Sequence, residues 1–167
     1  IVLFTMTTLS VTSQVIITEI ADPNNDSQAR FIELANIGDN AFDLTGYQLV
    51  RWTNANTAYT TSSAVDLTEF GSLQSKGILT LANNNKFETV YGVTPNKVIG
   101  SGGTADSNGD DNIAIVSSSG GITYSDSSTW TVIDAFGNAG TDGSSQWHEF
   151  EDGRAERKSS VQNPVST

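Results

Sequence analysis

Short runs of β-branched and large apolar residues alternate along this chain with stretches of Asn, Asp, Gly, Ser and Thr. Residues 15–52 show the pattern best. VIITEI is followed by the polar loop ADPNNDSQA, then by RFIELAN, the punctuation IGDN, and a run that ends FDLTGYQLVRW. Asp-Pro-Asn-Asn and Asn-Ile-Gly-Asp-Asn are turn signals, so the stretch reads strand, loop, strand, turn, strand. Side chains two apart share one face of a strand. Glu19 is therefore expected on the face of Val15 and Ile17, and Glu33 on the face of Phe31 and Ala35. Free charges fit poorly at such positions, so each carboxylate is expected to have a partner.

The same alternation continues. Residues 53–63 read as a long loop or irregular edge, and 65–70 as a short strand. Residues 73–77 turn into a strand over 78–82. Phe87, Val90 and Tyr91 stand at i, i+3 and i+4, which predicts one short helix over 85–92, with Asn before it and Gly92 closing it. A short strand is expected at 97–100, and a Gly- and Asp-rich loop at 102–111. Residues 112–116 are expected to pair through 117–121 with 122–124 as a hairpin, and 130–136 to form the next strand. After the loop 137–145, residues 147–150 and 155–159 flank the turn sequence 151–154. No internal repeat of 20–50 residues is visible.

Composition narrows the fold. A chain of 167 residues suits one domain with a real core. Its many turn residues and short apolar runs point to an all-β sandwich or barrel. Net charge is −11 and the pI is about 4.2. The eight basic residues are scattered, apart from Arg154, Arg157 and Lys158. A duplex-binding surface needs a concentrated basic stripe, so nucleic acid is not an expected partner. Basic partners, divalent cations or neutral polymers suit the charge better. The absence of cysteine excludes disulfides, zinc–thiolate sites and thiol catalysis. Residues 1–13 fit either a secretory-signal remnant ending in the small residues Val11-Thr12-Ser13 or an ordinary first strand. No segment approaches the roughly 20 apolar residues of a membrane span. The main domain is placed at 14–160, and 161–167 read as its end or a linker.

Four groups of residues could carry chemistry. Glu19, Glu33 and Asp134 could form a paired-carboxylate or metal site, but a structural role is favoured, with Arg30, Arg154, Arg157 or backbone donors as partners. Arg154 and Arg157 are suited to closing the first and last strands together. The loop Asp106-Ser107-Asn108-Gly109-Asp110-Asp111-Asn112 offers calcium-type oxygen ligands from Asp106, Asn108, Asp110 and Asp111. It lacks the glycine and glutamate positions of an EF-hand, and Asn-Gly-Asp is also a common turn. Residues 22–26 are a similar case. His148 is the only histidine, and no Gly-x-Ser-x-Gly elbow accompanies it, so it reads as a packed or surface residue. Among the aromatics, Trp52 and Trp130 are expected in the core. Trp147, beside a Gly/Ser loop, is expected to be exposed, and with Tyr59 it is the candidate ligand-binding aromatic.

Taken in order, several of these elements resemble the lamin tail domain. Ile17-Thr18-Glu19-Ile20, Phe31-Ile32-Glu33-Leu34-Ala35-Asn36 and Asp43-Leu44-Thr45-Gly46-Tyr47-Gln48-Leu49 match its opening. Gly77-Ile78-Leu79-Thr80-Leu81-Ala82 resembles its middle strand, Ser107–Val116 its later hairpin, and Val132-Ile133-Asp134-Ala135-Phe136-Gly137 a further strand. The likeness runs from about Gln14 to about Lys158. It is looser at the end: the family sets two aromatics two apart, whereas Trp147 and Phe150 are three apart and Glu149 holds the second aromatic position. The resemblance implies an immunoglobulin-like β-sandwich of roughly seven to nine strands with one short helix. It further implies a non-catalytic accessory module of a secreted or surface bacterial protein, mediating attachment or protein–protein contact. A neighbouring catalytic domain in the parent chain fits that picture. The alternative is a carbohydrate- or calcium-binding adhesion module; no other cofactor is expected. Chromatin association, found in some eukaryotic relatives, does not suit the acidic charge.

Overall fold

The computed structural model describes residues 14–58, 63–118 and 127–166. The expectations for residues 1–13, for Tyr59 and for the returning strand 122–124 lie outside the described residues.

The strands follow the predicted runs closely. They are β1 (Val15–Ala21), β2 (Phe31–Asn36), β3 (Phe42–Asp43), β4 (Tyr47–Trp52), β5 (Ala64–Asp66) and β6 (Ser72–Leu73). Beyond them come β7 (Ile78–Ala82), β8 (Lys97–Val98), β9 (Asn112–Ser117), β10 (Thr131–Phe136) and β11 (Arg154–Glu156). Five form one sheet in the order β11-β1-β2-β7-β8, and four form a second, β10-β9-β4-β5. The strands β3 and β6 pair separately. Pairing is antiparallel except between β7 and β8. The inner faces meet in one core: Ile17, Ile20, Ile32, Leu34, Leu79 and Leu81 from the larger sheet pack with Leu49, Val65, Ile113 and Ile115 from the smaller. This is an immunoglobulin-like β-sandwich.

Two departures have identifiable causes. The run expected as strand 65–70 stops at Asp66, because the Asp66 carboxylate accepts the Thr68 N–H at 2.9 Å and starts a 3-10 turn over Leu67–Phe70. Residues 147–150 are a turn, not a strand. Its end is fixed by the Phe150 N–H donating to Gly109 O at 2.9 Å. Gly109 allows this approach: at φ +103° a Cβ there would lie 2.3 Å from Glu151 backbone atoms.

The helix α1 (Lys86–Tyr91) lies where expected and ends at Gly92, in the left-handed region at φ 73°. Its start is capped by Asn84, whose Oδ1 accepts the Lys86 N–H at 3.2 Å, while the Asn85 side chain makes no cap bond. Six residues are too few for a helix to hold alone. Packing holds it: Phe31 meets Phe87 at 5.2 Å and Tyr91 at 5.1 Å on the outer face of the larger sheet.

Bulges decide the faces of two carboxylates. The pairing of β1 with β2 shifts between Ile17 and Glu19. The extra residue, Thr18, reverses the alternation, so Ile17 and Ile20 both reach the core. Glu19 stands opposite Glu33 on the outer face, and does not share the face of Val15 and Ile17 as expected. A second bulge interrupts β10 between Val132 and Asp134.

Candidate functional site

The side of the sandwich where β1 and β11 approach β10 brings together Glu19, Asp134, Arg154, Arg157 and Trp147. At its centre is Asp134, which has 0 % exposure. Its Oδ2 accepts the Ile17 N–H at 2.7 Å and the Arg157 Nη2–H at 2.6 Å. Its Oδ1 accepts the Val165 N–H at 2.8 Å. Arg157 also donates through Nε to Ile17 O at 2.7 Å, and its backbone N–H donates to Thr18 O at 2.8 Å. One carboxylate thus joins the larger sheet, the smaller sheet and the segment after β11. Burial raises its proton affinity, against the pull of the Val165 and Ile17 amides and of Arg157. Residues 161–166 do not simply run off as a domain end. Ala135 N–H donates to Val165 O at 2.8 Å, so the segment folds back on β10.

The outer face of the larger sheet presents Glu156, Glu19 and Glu33 side by side on three adjacent strands. Arg154, itself exposed, bridges Glu19 at 3.3 Å and Glu156 at 3.1 Å. Burial raises the Glu19 carboxyl above the usual range, Arg154 opposes this, and the neighbouring Glu156 and Glu33 add to it. Glu33 differs from expectation. Its partner is the Thr18 hydroxyl, which donates to Oε1 at 2.6 Å, not an arginine from the last strand. The reason is the strand it occupies: β2 is separated from β11 by β1, so Glu33 meets the Thr18 side chain of β1 while Arg154 is taken by Glu19 and Glu156.

The oxygen-rich loop is tied by arginines. Arg30 bonds Asp22 through Nε at 2.7 Å and Asp106 through Nη1 at 2.9 Å. Asn83 Nδ2 and the Gly102 N–H, each at 2.9 Å, also donate to the Asp106 carboxylate. Arg51 Nη1 bonds Asp111 at 2.8 Å and also reaches Asp106 O, while the Asn54 N–H takes the other Asp111 oxygen at 3.0 Å. Asp110 accepts from Asn54 Nδ2 at 3.0 Å, and Asn108 is exposed. The carboxylates of Asp106 and Asp111 are thus bound on both oxygens by N–H donors. Among the described residues no group of three or more His, Asp or Glu converges as a metal site. In the loop 22–26, Asp22 is likewise held by Arg30, and Asp26 by Lys86.

The aromatics divide as follows. Trp52 is buried and meets half-buried Trp130 at 6.4 Å. Trp147 is 75 % exposed, with its ring edge against Phe136 at 5.9 Å. Next to it, His148 is only 1 % exposed, and neither ring nitrogen has a hydrogen-bond partner among the described residues. Burial pushes its imidazole below the ordinary value, opposed by Asp142. Trp147 stands over a depression of about 220 Å³ floored by Ile17, Ile20, Ala135 and Phe136. Glu19, Glu156 and Arg157 line its polar rim, and Val161 and Val165 close one side.

The model of the lamin tail domain matches residues 8–138, well over half of the chain. The chain belongs to the lamin tail domain family. The matched stretch includes every strand of this lamin tail domain from β1 to β10, and it stops short of Trp147, β11 and the returning segment. None of the curated proteins matches the chain.

Sequence reading missed the part of Val165 and the arginine clamps on Asp22, Asp106 and Asp111. A buried Asp at a bulge leaves no local signal, and the contacts of Arg30 with Asp106 and of Arg51 with Asp111 span 76 and 60 residues of sequence.

Proposed function

We propose that this lamin tail domain is a non-catalytic binding module of a secreted or cell-surface bacterial protein and works by protein contact, with Trp147 at the centre of the contact face. The observation that carries the reading is the 75 % exposure of Trp147 above an apolar depression. A large exposed aromatic beside buried apolar side chains is the usual anchor of a protein interface. The three acids first considered for catalysis are each engaged by a partner, which supports this reading. Asp134 is bonded to Ile17, Val165 and Arg157, Glu19 to Arg154, and Glu33 to Thr18. Fold alone does not fix function, and a catalytic neighbour in the parent chain is part of the same reading.

The test is a photo-crosslinking amino acid at position 147 in the native host, followed by reconstitution with the trapped protein. Trp147→Ala is expected to weaken that complex by about 2 kcal/mol or more. No crosslink above the level seen at an exposed control position such as Asn108 would end the protein-contact reading.

Exposed Trp147 also favours a second reading, stacking on a sugar ring. A glycan array that binds the domain and loses the signal on Trp147→Ala would choose it.

A further inference from the structure

The strand β10 lies at the outside of its sheet, and among the described residues one of its edges has no strand beside it. Such an edge is a template for an added strand. Among the described residues, one main-chain bond to another backbone group leaves that edge, from the Ala135 N–H to Val165 O at 2.8 Å. Val165 returns its own N–H to the side chain of Asp134 at 2.8 Å. A single residue of the returning segment therefore imitates a paired strand. Around it the hold is slight. Residues 158–163 are exposed, Val161 and Val165 are 37 % and 38 % exposed, and Pro164 has no N–H to contribute.

The surroundings specify what would fit better. Beside Val165 lies the apolar floor of Ile17, Ile20 and Phe136, with Trp147 above it. On the rim, Glu19 and Glu156 share Arg154, which is 61 % exposed at its side chain. Arg157, on the same rim, is neutralised by Asp134, so two carboxylates against one solvent-exposed guanidinium leave the rim acidic, on a chain of net charge −11.

We propose that the free edge of β10 is a docking site for an extended segment of a partner protein, added as a strand, with an apolar residue over the floor and a lysine or arginine against Glu19 and Glu156. Residues 161–166 are its internal stand-in. A longer strand would pair along Thr131–Phe136 where Val165 pairs once, so it displaces the stand-in by main-chain bonding. The acidic rim selects for a basic partner, and the face of Trp147 accepts a cation as well as an apolar group. The proposal rests on the protein-contact reading above and specifies its chemistry.

The test is a titration of the ¹⁵N-labelled full chain with the synthetic peptide acetyl-KVTVKVT-amide and its counterpart acetyl-EVTVEVT-amide. The lysine peptide is expected to shift the Ala135 amide and the Trp147 indole resonances. The glutamate peptide should bind about tenfold more weakly. Val165→Gly, which loosens the stand-in, should tighten the lysine peptide by about fivefold, because the competitor is removed. Val165→Ala, which trims the same side chain and keeps both main-chain bonds, is the second variant should the first fail to fold. An Ala135 amide that stays in place at millimolar lysine peptide overturns the proposal, as does equal affinity for the two peptides. A partner trapped at position 147 while the Ala135 amide stays unmoved would overturn strand docking alone and leave the protein-contact reading standing.

Discussion

Asp134 and Arg157 form a buried ion pair at 2.6 Å that ties the last segment of the chain to both sheets. The carboxylate is fully buried, and the guanidinium side chain is 13 % exposed. Removing one partner leaves the other uncompensated in a low-dielectric site, which typically costs about 3–5 kcal/mol. Arg157→Leu and Asp134→Leu are each expected to lower the denaturant midpoint by an amount in that range. The double variant should lose less than the sum. Strict additivity of the two would show that they act apart.

The Thr18–Glu33 bond on the outer face predicts a smaller effect. Thr18→Val deletes a donor to a carboxylate and should cost about 1.5–3 kcal/mol. Arg154→Ala touches only exposed bridges to Glu19 and Glu156, so its cost should stay below about 1 kcal/mol. Urea denaturation of the two variants side by side checks the order; an Arg154 variant that loses more would reverse this assignment.

His148 predicts an acid limb. Burial holds its proton affinity below the ordinary value of 6.5, so the unfolded chain takes up a proton before the folded one. The stability it contributes is complete above pH 6.5 and is lost as pH falls through the lowered folded value. The melting temperature should therefore drop on acidification below pH 6.5. In His148→Leu that part of the drop should vanish. Melting curves of both proteins between pH 7.5 and 4.5 decide it, because the other acids titrate in both.

Trp147 is a surface residue as far as folding is concerned. Its replacement by alanine should change stability by less than about 0.5 kcal/mol, whatever it does to binding. A circular dichroism melt of Trp147→Ala that tracks the parent would separate the two effects. A loss of many degrees would mean that the ring supports Phe136 and the turn at 147–150.

Calcium titrated calorimetrically into the domain is expected to give no binding heat at millimolar concentration. Arg30 and Arg51 already bond Asp22, Asp106 and Asp111, and an arginine beside the ligands repels a cation. Stoichiometric binding that disappears on Asp106→Asn would overturn this.

The sequence by itself determined most of the described strands, the one helix and the order of elements that marks a lamin tail domain. These follow from alternation over a few residues, from turn chemistry such as Asp-Pro-Asn-Asn, and from the spacing of Phe87, Val90 and Tyr91, all of which act locally. The exposure of Trp147 was legible for the same reason, from the Gly/Ser loop before it. The tertiary structure alone decided the face of Glu19, because the bulge at Thr18 shifts register by one residue and reverses every side chain of β1 beyond it. It alone decided the partners of Asp134, whose bond to the Ile17 amide spans 117 residues of sequence. Nothing local distinguishes an aspartate that will be buried between two sheets from one that will sit in a turn. The difference arises when the sandwich closes and takes the carboxylate out of water, where only the Ile17 and Val165 amides and Arg157 remain to replace it.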